Sequence, residues 1–126
     1  LTPHLGEFLR MTKLESFNLS SRNLINMVQS LGVTLVLKGA TTRICDGSKV
    51  FMNTRGGPVL SRGGSGDLLS GIIGAQLAQY LNQDTLSASL IGVLLHGLAA
   101  EYLAQERGQS MVQTTEVLDF LPKVLR

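Results

Sequence analysis

Between Ser20 and Gly32 the apolar residues Leu24, Ile25, Met27, Val28 and Leu31 recur at helical spacing, with Ser20 placed to cap the start and Gly32 to stop the end. An amphipathic helix is predicted there. The pattern then changes to a nearly continuous apolar run, Val33-Thr34-Leu35-Val36-Leu37, which predicts a strand covered on both faces in a parallel sheet. Two further strands, about Thr41 to Cys45 and Lys49 to Asn53, flank Asp46-Gly47, a dipeptide that favours a tight hairpin because both residue types tolerate positive φ. Upstream, Pro3 biases Thr2 away from helix and Glu7 suits a first turn, so a short helix is expected over about Gly6 to Thr12.

Beyond Asn53 a glycine-rich loop covers 54 to 66. A helix is predicted from about Gly66 to Leu81, with Leu68, Leu69, Ile72, Ile73, Leu77 and Ala78 on one side and Gly71 and Gly74 thinning its surface for close packing. Asp84 is placed to cap a longer helix reaching about Glu106, apolar almost all round from Leu90 to Leu103 apart from His96 and Glu101, and therefore expected to be buried on most sides. A last helix, about Thr115 to Leu125 after a Thr114 or Thr115 cap, brings Val117, Leu118, Leu121 and Leu125 together.

One apolar strand and one hairpin are little sheet for so much apolar helix. Residues 1–126 therefore read as a single partial domain, the C-terminal part of a doubly covered α/β domain, with further strands beside Val33 to Leu37 or an oligomer supplying the missing layer. A chain that starts at Leu1 without a signal-like segment fits the same expectation. The composition, 44% hydrophobic and 16% charged, excludes a disordered tail, and no run of about 18 consecutive apolar residues supplies a membrane span. Lone Cys45 on a strand-like segment reads as a small buried apolar residue in a reducing, cytoplasmic compartment. Net charge is only +2, and the two Tyr and four Phe do not interleave with the basic residues, which argues against nucleic acid as a partner.

Half of the 14 glycines fall between Gly56 and Gly74. Over residues 38 to 62, Lys38, Arg43, Lys49, Arg55 and Arg62 stand against Asp46 alone, a balance that attracts an anion. In Arg62-Gly63-Gly64-Ser65-Gly66-Asp67-Leu68-Leu69-Ser70-Gly71 the glycines let backbone N–H groups turn inward at a helix start, a place for a phosphate or a developing anion. Asp67 at its edge suits a general base taking a proton from a hydroxyl, against the plainer reading of Ser65 as helix cap and Asp67 as first-turn decoration. Lys38-Gly39-Ala40-Thr41-Thr42 follows the carboxyl end of the apolar strand, where open α/β sheets bind ligands. His4 and Glu7 have a metal-compatible spacing but no third ligand nearby, so no metal site is expected; His96 reads as a hydrogen-bonded core histidine.

Taken in order, Thr2-Pro3-His4-Leu5-Gly6-Glu7, Val36-Leu37-Lys38-Gly39-Ala40-Thr41-Thr42, Gly63-Gly64-Ser65-Gly66-Asp67-Leu68-Leu69-Ser70-Gly71 and Leu95-His96-Gly97-Leu98-Ala99 span essentially the whole chain. The combination resembles the ADP- or ATP-dependent (S)-NAD(P)H-hydrate dehydratases. Leu5 stands where that family usually has proline, and Gly57-Pro58-Val59 where Asn-Pro-Gly is common. The resemblance implies the C-terminal half of a ribokinase-like three-layer α/β/α domain and nucleotide-dependent removal of water from the S epimer of hydrated NADH or NADPH.

By the same resemblance, His4 and Asp67 contact the hydrated dinucleotide, with Asp67 catalytic. Lys38, Gly39, Ala40, Thr41, Thr42, Gly63, Gly64, Ser65 and Gly66 meet the adenine nucleotide, ADP or ATP, whose phosphates Mg2+ bridges. A cytoplasmic homo-oligomer without membrane or nucleic-acid partners is expected. Two competing readings are a ribokinase-like kinase for a sugar, vitamin or hydroxymethylpyrimidine, against which Thr-Pro-His-x-Gly-Glu argues, and a non-catalytic nucleotide-binding fragment.

Overall fold

A computed structural model describes residues 1–79 and 84–126. The order is α1 (Leu5–Thr12), α2 (Ser21–Leu31), β1 (Leu35–Leu37), β2 (Thr42–Cys45), β3 (Val50–Asn53), a 3-10 turn (Pro58–Leu60), α3 (Ser65–Gln79), α4 (Thr85–Arg107), a 3-10 run (Thr114–Phe120) and α5 (Leu121–Val124). The chain divides into two compact units, Leu1–Asn53 and Thr54–Arg126, each with a hydrophobic core of its own.

In the first unit Phe8, Leu24, Val28, Leu35, Leu37 and Cys45 form the core, and the Phe8 and Phe17 rings meet edge to face at 5.2 Å. The expected amphipathic helix is α2: the Ser20 side chain accepts from Asn23 N–H, and Gly32 closes the end at φ 64°. Leu31, expected on its buried face, is exposed. The sheet order is β1-β2-β3, and both pairings are antiparallel. Residues 1–4 supply a parallel neighbour of β1. Val36 N donates to Leu1 O and Lys38 N to Pro3 O, both at 2.8 Å, and His4 and Lys38 form a parallel bridge.

The Asp46-Gly47 turn differs from the tight form expected. Cys45 pairs with Val50, so four residues connect the strands, and only Gly47 takes positive φ, at 93°. Asp46 contributes through its carboxylate, which accepts from Ser48 N, Ser48 Oγ and Lys49 N and is held below its ordinary pKa, chiefly by the Ser48 amide. Buried Cys45 bears out the structural reading, and burial pushes its thiol pKa up.

In the second unit Val59, Ala99, Ala100, Leu103, Val112, Val117 and Phe120 are buried together. Helix α3 begins at Ser65; its expected end near Leu81 lies outside the described residues. The glycines that permit close packing are not those expected. A Cβ on Gly71 or Gly74 would meet nothing, whereas one on Gly92 would lie 2.5 Å from Ile73 Cγ1 and one on Gly97 2.9 Å from the Arg55 backbone.

Asp84 caps α4 as expected, accepting from Ser87 N at 2.7 Å. The helix is less enclosed than its composition suggests: Ile91, Leu94 and Tyr102 form an exposed line, while His96, Ala99, Ala100 and Leu103 face inward. Its 23 residues are long and apolar enough to cross a membrane, with 56% of the critical window buried, as in the core helix of a folded unit. The single helix expected over Thr115–Leu125 is a 3-10 run followed by one α-turn. Pro122 lacks an N–H and its ring crowds the preceding turn, so a continuous α-helix cannot pass through it. Val117 and Phe120 consequently point inward, and Leu118 and Leu125 are exposed.

Candidate active site

The Thr-Pro-His-x-Gly-Glu segment builds a reciprocal cap on α1. His4 Nδ1 accepts from Glu7 N at 3.2 Å, and Glu7 Oε2 accepts from His4 N at 2.7 Å, satisfying two otherwise orphaned donors. Accepting at Nδ1 places the neutral ring's proton on Nε2, which lies 3.4 Å from Glu7 Oε1. The Glu7 carboxylate also receives Lys38 Nζ at 3.8 Å, and its pKa is lowered first by the His4 amide and then by His4 and Lys38. Within this unit the structure thus brings His4 and Lys38 together through Glu7, which the sequence offered as a first-turn residue of the helix. Among the described residues no three His, Cys, Asp or Glu side chains gather for a metal.

Lys38 to Thr41 form the connection from β1 to β2, and Thr42 opens β2. Thr42 Oγ1 donates to Gly39 O at 3.4 Å and Arg43 to Thr41 O at 3.3 Å, so this turn is shaped by its own side chains, with Gly39 and Ala40 exposed.

In the second unit the glycine-rich segment leads into α3. Gly64, at φ 85°, accepts from Leu68 N at 3.1 Å and so stands at the cap position. Ser65 is already inside the helix; it is buried, and its Oγ lies 3.3 Å from Nε2 of buried His96. Serine as helix cap is therefore overturned, because its hydroxyl is turned to the core. The amides of Gly66 and Asp67 belong to the first turn and have no acceptor within the helix. Asp67 is exposed, and among the described residues its carboxylate makes no hydrogen bond or ion pair. An anion at these amides gains the helix dipole as well as two donors.

Three residues of α4 shape the approach to this turn. His96 meets Ser65, Gly97 leaves room for the Arg55 backbone, and Glu101 accepts from Gly56 N at 3.0 Å and Arg55 at 3.2 Å. Thr114 Oγ1 donates to Gly63 O at 3.0 Å, a tether rather than the helix cap expected of it. Glu101 and Thr114 were missed as organising residues; a lone carboxylate on an otherwise apolar helix was the signal for the first. Arg62 and Arg55 are not an open basic cluster. The Arg62 guanidinium donates to the carbonyls of Gln109, Ser110 and Val112, and Arg55 pairs with Glu101. His96 is a hydrogen-bonded core histidine, and burial lowers its pKa from 6.5 to about 4, so it is neutral near pH 7.

The model of the NAD(P)H-hydrate dehydratase family matches residues 1–123. The chain belongs to this family. An ADP-dependent (S)-NAD(P)H-hydrate dehydratase from Cenarchaeum symbiosum is 36% identical over 130 residues, covering 100% of this chain and 44% of its own length. The ADP/ATP-dependent NAD(P)H-hydrate dehydratase from Bacillus subtilis, co-crystallized with ATP and Mg2+, superposes with a TM-score of 0.88 at 34% identity, over 99% of this chain and 46% of that one. A ribokinase-like superfamily protein from Enterococcus faecalis gives 0.82 at 34% identity, over 98% and 42%. The fold is therefore the ribokinase-like α/β fold expected, and the chain spans between a quarter and a half of the length of the curated relatives it matches. The residues of the four motifs lie at the α1 cap, in the β1–β2 turn, in the first turn of α3 and on α4.

Proposed function

We propose that the protein removes water from the S epimer of hydrated NADH or NADPH at the expense of ADP or ATP, restoring the reduced cofactor. Membership of the family supports this reading, and the observation that carries it is the exposed Asp67 carboxylate, without a partner among the described residues, beside the amides of Gly66 and Asp67 that the first α3 turn leaves without an acceptor. In this reading Asp67 takes the proton from the C6 hydroxyl as that oxygen attacks the terminal phosphorus of the nucleotide. Phosphate then leaves with the C6–O bond, assisted by the ring nitrogen, and the C5–C6 double bond re-forms after loss of a proton from C5. The amides of Gly66 and Asp67, with the backbone freedom of Gly63 and Gly64, meet the phosphate charge. Residues Lys38, Gly39, Ala40, Thr41 and Thr42 serve the adenine nucleotide, and His4 the hydrated dinucleotide.

The donor set suits a magnesium ion that arrives on the nucleotide: such ions use phosphate oxygens and one or two carboxylates, and no three-ligand cluster is present among the described residues. Bound there, Mg2+ would neutralise phosphate charge; Asp67 is the carboxylate of the α3 turn able to face it. A cytoplasmic setting agrees with the single buried thiol of Cys45, and an assembly of copies agrees with the exposed Ile91, Leu94 and Tyr102. The deciding experiment incubates full-length protein with hydrated NADH and either ADP or ATP and follows the return of reduced-nicotinamide absorbance. No recovery with either nucleotide, from folded protein, would reject the reading.

A further inference from the structure

We propose that Ser65 and His96 act as a paired positioning device, a buried hydrogen bond that fixes the first turn of α3 so that the Gly66 and Asp67 amides stay directed outward. Its bearing on nucleotide use rests on the function proposed above. Ser65 and His96 are 5% and 6% exposed, and Oγ and Nε2 are 3.3 Å apart. A serine hydroxyl in the first turn of a helix would ordinarily face water or cap the neighbouring amides. Here it is withdrawn into the unit, leaving those amides unclaimed by their own side chains.

Neighbouring contacts explain why one hydrogen bond matters. Gly64 at positive φ gives the preceding residue freedom, and the Thr114 tether reaches only Gly63. Among the described residues, Ser65–His96 is the hydrogen bond that ties the turn itself to α4. His96 is neutral, so it places no positive charge beneath the turn and serves as a geometric partner rather than an electrostatic one.

The test compares Ser65→Ala, His96→Ala, the double variant and His96→Gln, whose terminal amide reaches the place of ring Nε2. In Ser65→Ala and His96→Ala the nucleotide KM should rise about tenfold, as expected for one lost hydrogen bond, while the KM for the hydrated cofactor stays within about twofold. The double variant should be no worse than the poorer single variant, and His96→Gln should restore much of the loss. A merely destabilised fold would instead lower the active fraction and leave both KM values alone.

Amide hydrogen exchange without nucleotide gives an independent reading: the bonded amides of Leu68, which donates to Gly64 O, and Leu69 should exchange about tenfold faster in Ser65→Ala, with Ala99 to Leu103 unchanged. Unchanged first-turn exchange, or an unchanged nucleotide KM in folded Ser65→Ala, would overturn the inference. If the unaltered protein binds neither ADP nor ATP, the function proposed above fails, and the exchange comparison alone decides the positioning role.

Discussion

Acidification should expose the cost of keeping His96 uncharged. In the unfolded chain the imidazole titrates near 6.5, whereas in the folded unit burial lowers this to about 4. Between those values the unfolded state binds a proton that the folded state refuses. Stability is therefore fully present above pH 6.5 and is lost as pH falls towards 4. At about 1.4 kcal/mol per pH unit, the whole drop is worth about 3 kcal/mol. Glu7, Asp46, Asp84 and Glu116, whose pKa values are lowered by hydrogen bonds, lose their contributions only as pH falls below the unfolded carboxylate range, near 4.5 and under.

The range from 6.5 to 4.5 thus isolates most of the histidine effect from those carboxylates. The assay is urea unfolding at pH 7, 6, 5 and 4.5 for the unaltered chain and for His96→Gln, which cannot titrate. The unaltered chain should lose about 2 kcal/mol more than the variant over that span. Equal losses in the two proteins would refute the reasoning, as would an NMR titration placing the His96 ring above about 6, since a buried imidazole cannot titrate like an exposed one.

Asp67→Asn in the full-length enzyme should change stability by less than about 1 kcal/mol and still bind nucleotide, while turnover falls about 100- to 10,000-fold; retention of more than about a tenth of the rate would remove the base role. Gly66→Val should abolish ADP and ATP binding measured by calorimetry with circular dichroism unchanged, and undiminished affinity would count against phosphate binding at this turn. Gly92→Ala should destabilise by about 1 to 3 kcal/mol because its Cβ would lie 2.5 Å from Ile73 Cγ1. Gly74→Ala, with open space around it, should stabilise α3 by about 0.5 to 1 kcal/mol; denaturant midpoints that moved in the same direction would show the packing to be misassigned.

The sequence by itself determined the features that depend on nearby residues. Helix α2 with Ser20 and Gly32 at its ends, the Asp84 cap and the α3 start were legible because caps and apolar spacing act within one or two turns. Of the candidate site, the four motifs in order were legible, and they point to the family whose model matches residues 1–123. The missed Pro122 was equally local; the break it makes could have been read from the chain.

Tertiary structure alone decided the pairing partners. Nothing in the sequence of residues 1–4 distinguishes a loop from an extended segment lying parallel to β1, because the backbone bonds that make the difference come from residues more than 30 positions away. The same holds for the glycines: Gly71 and Gly74 look like packing glycines by composition, yet only the approach of Ile73 and Arg55 shows that Gly92 and Gly97 are the crowded positions. Ser65 carries the same lesson at the site. Its local preference is to cap a helix, and a histidine 31 residues away turns the hydroxyl inward instead, because two buried polar groups left unpaired would cost more than one cap.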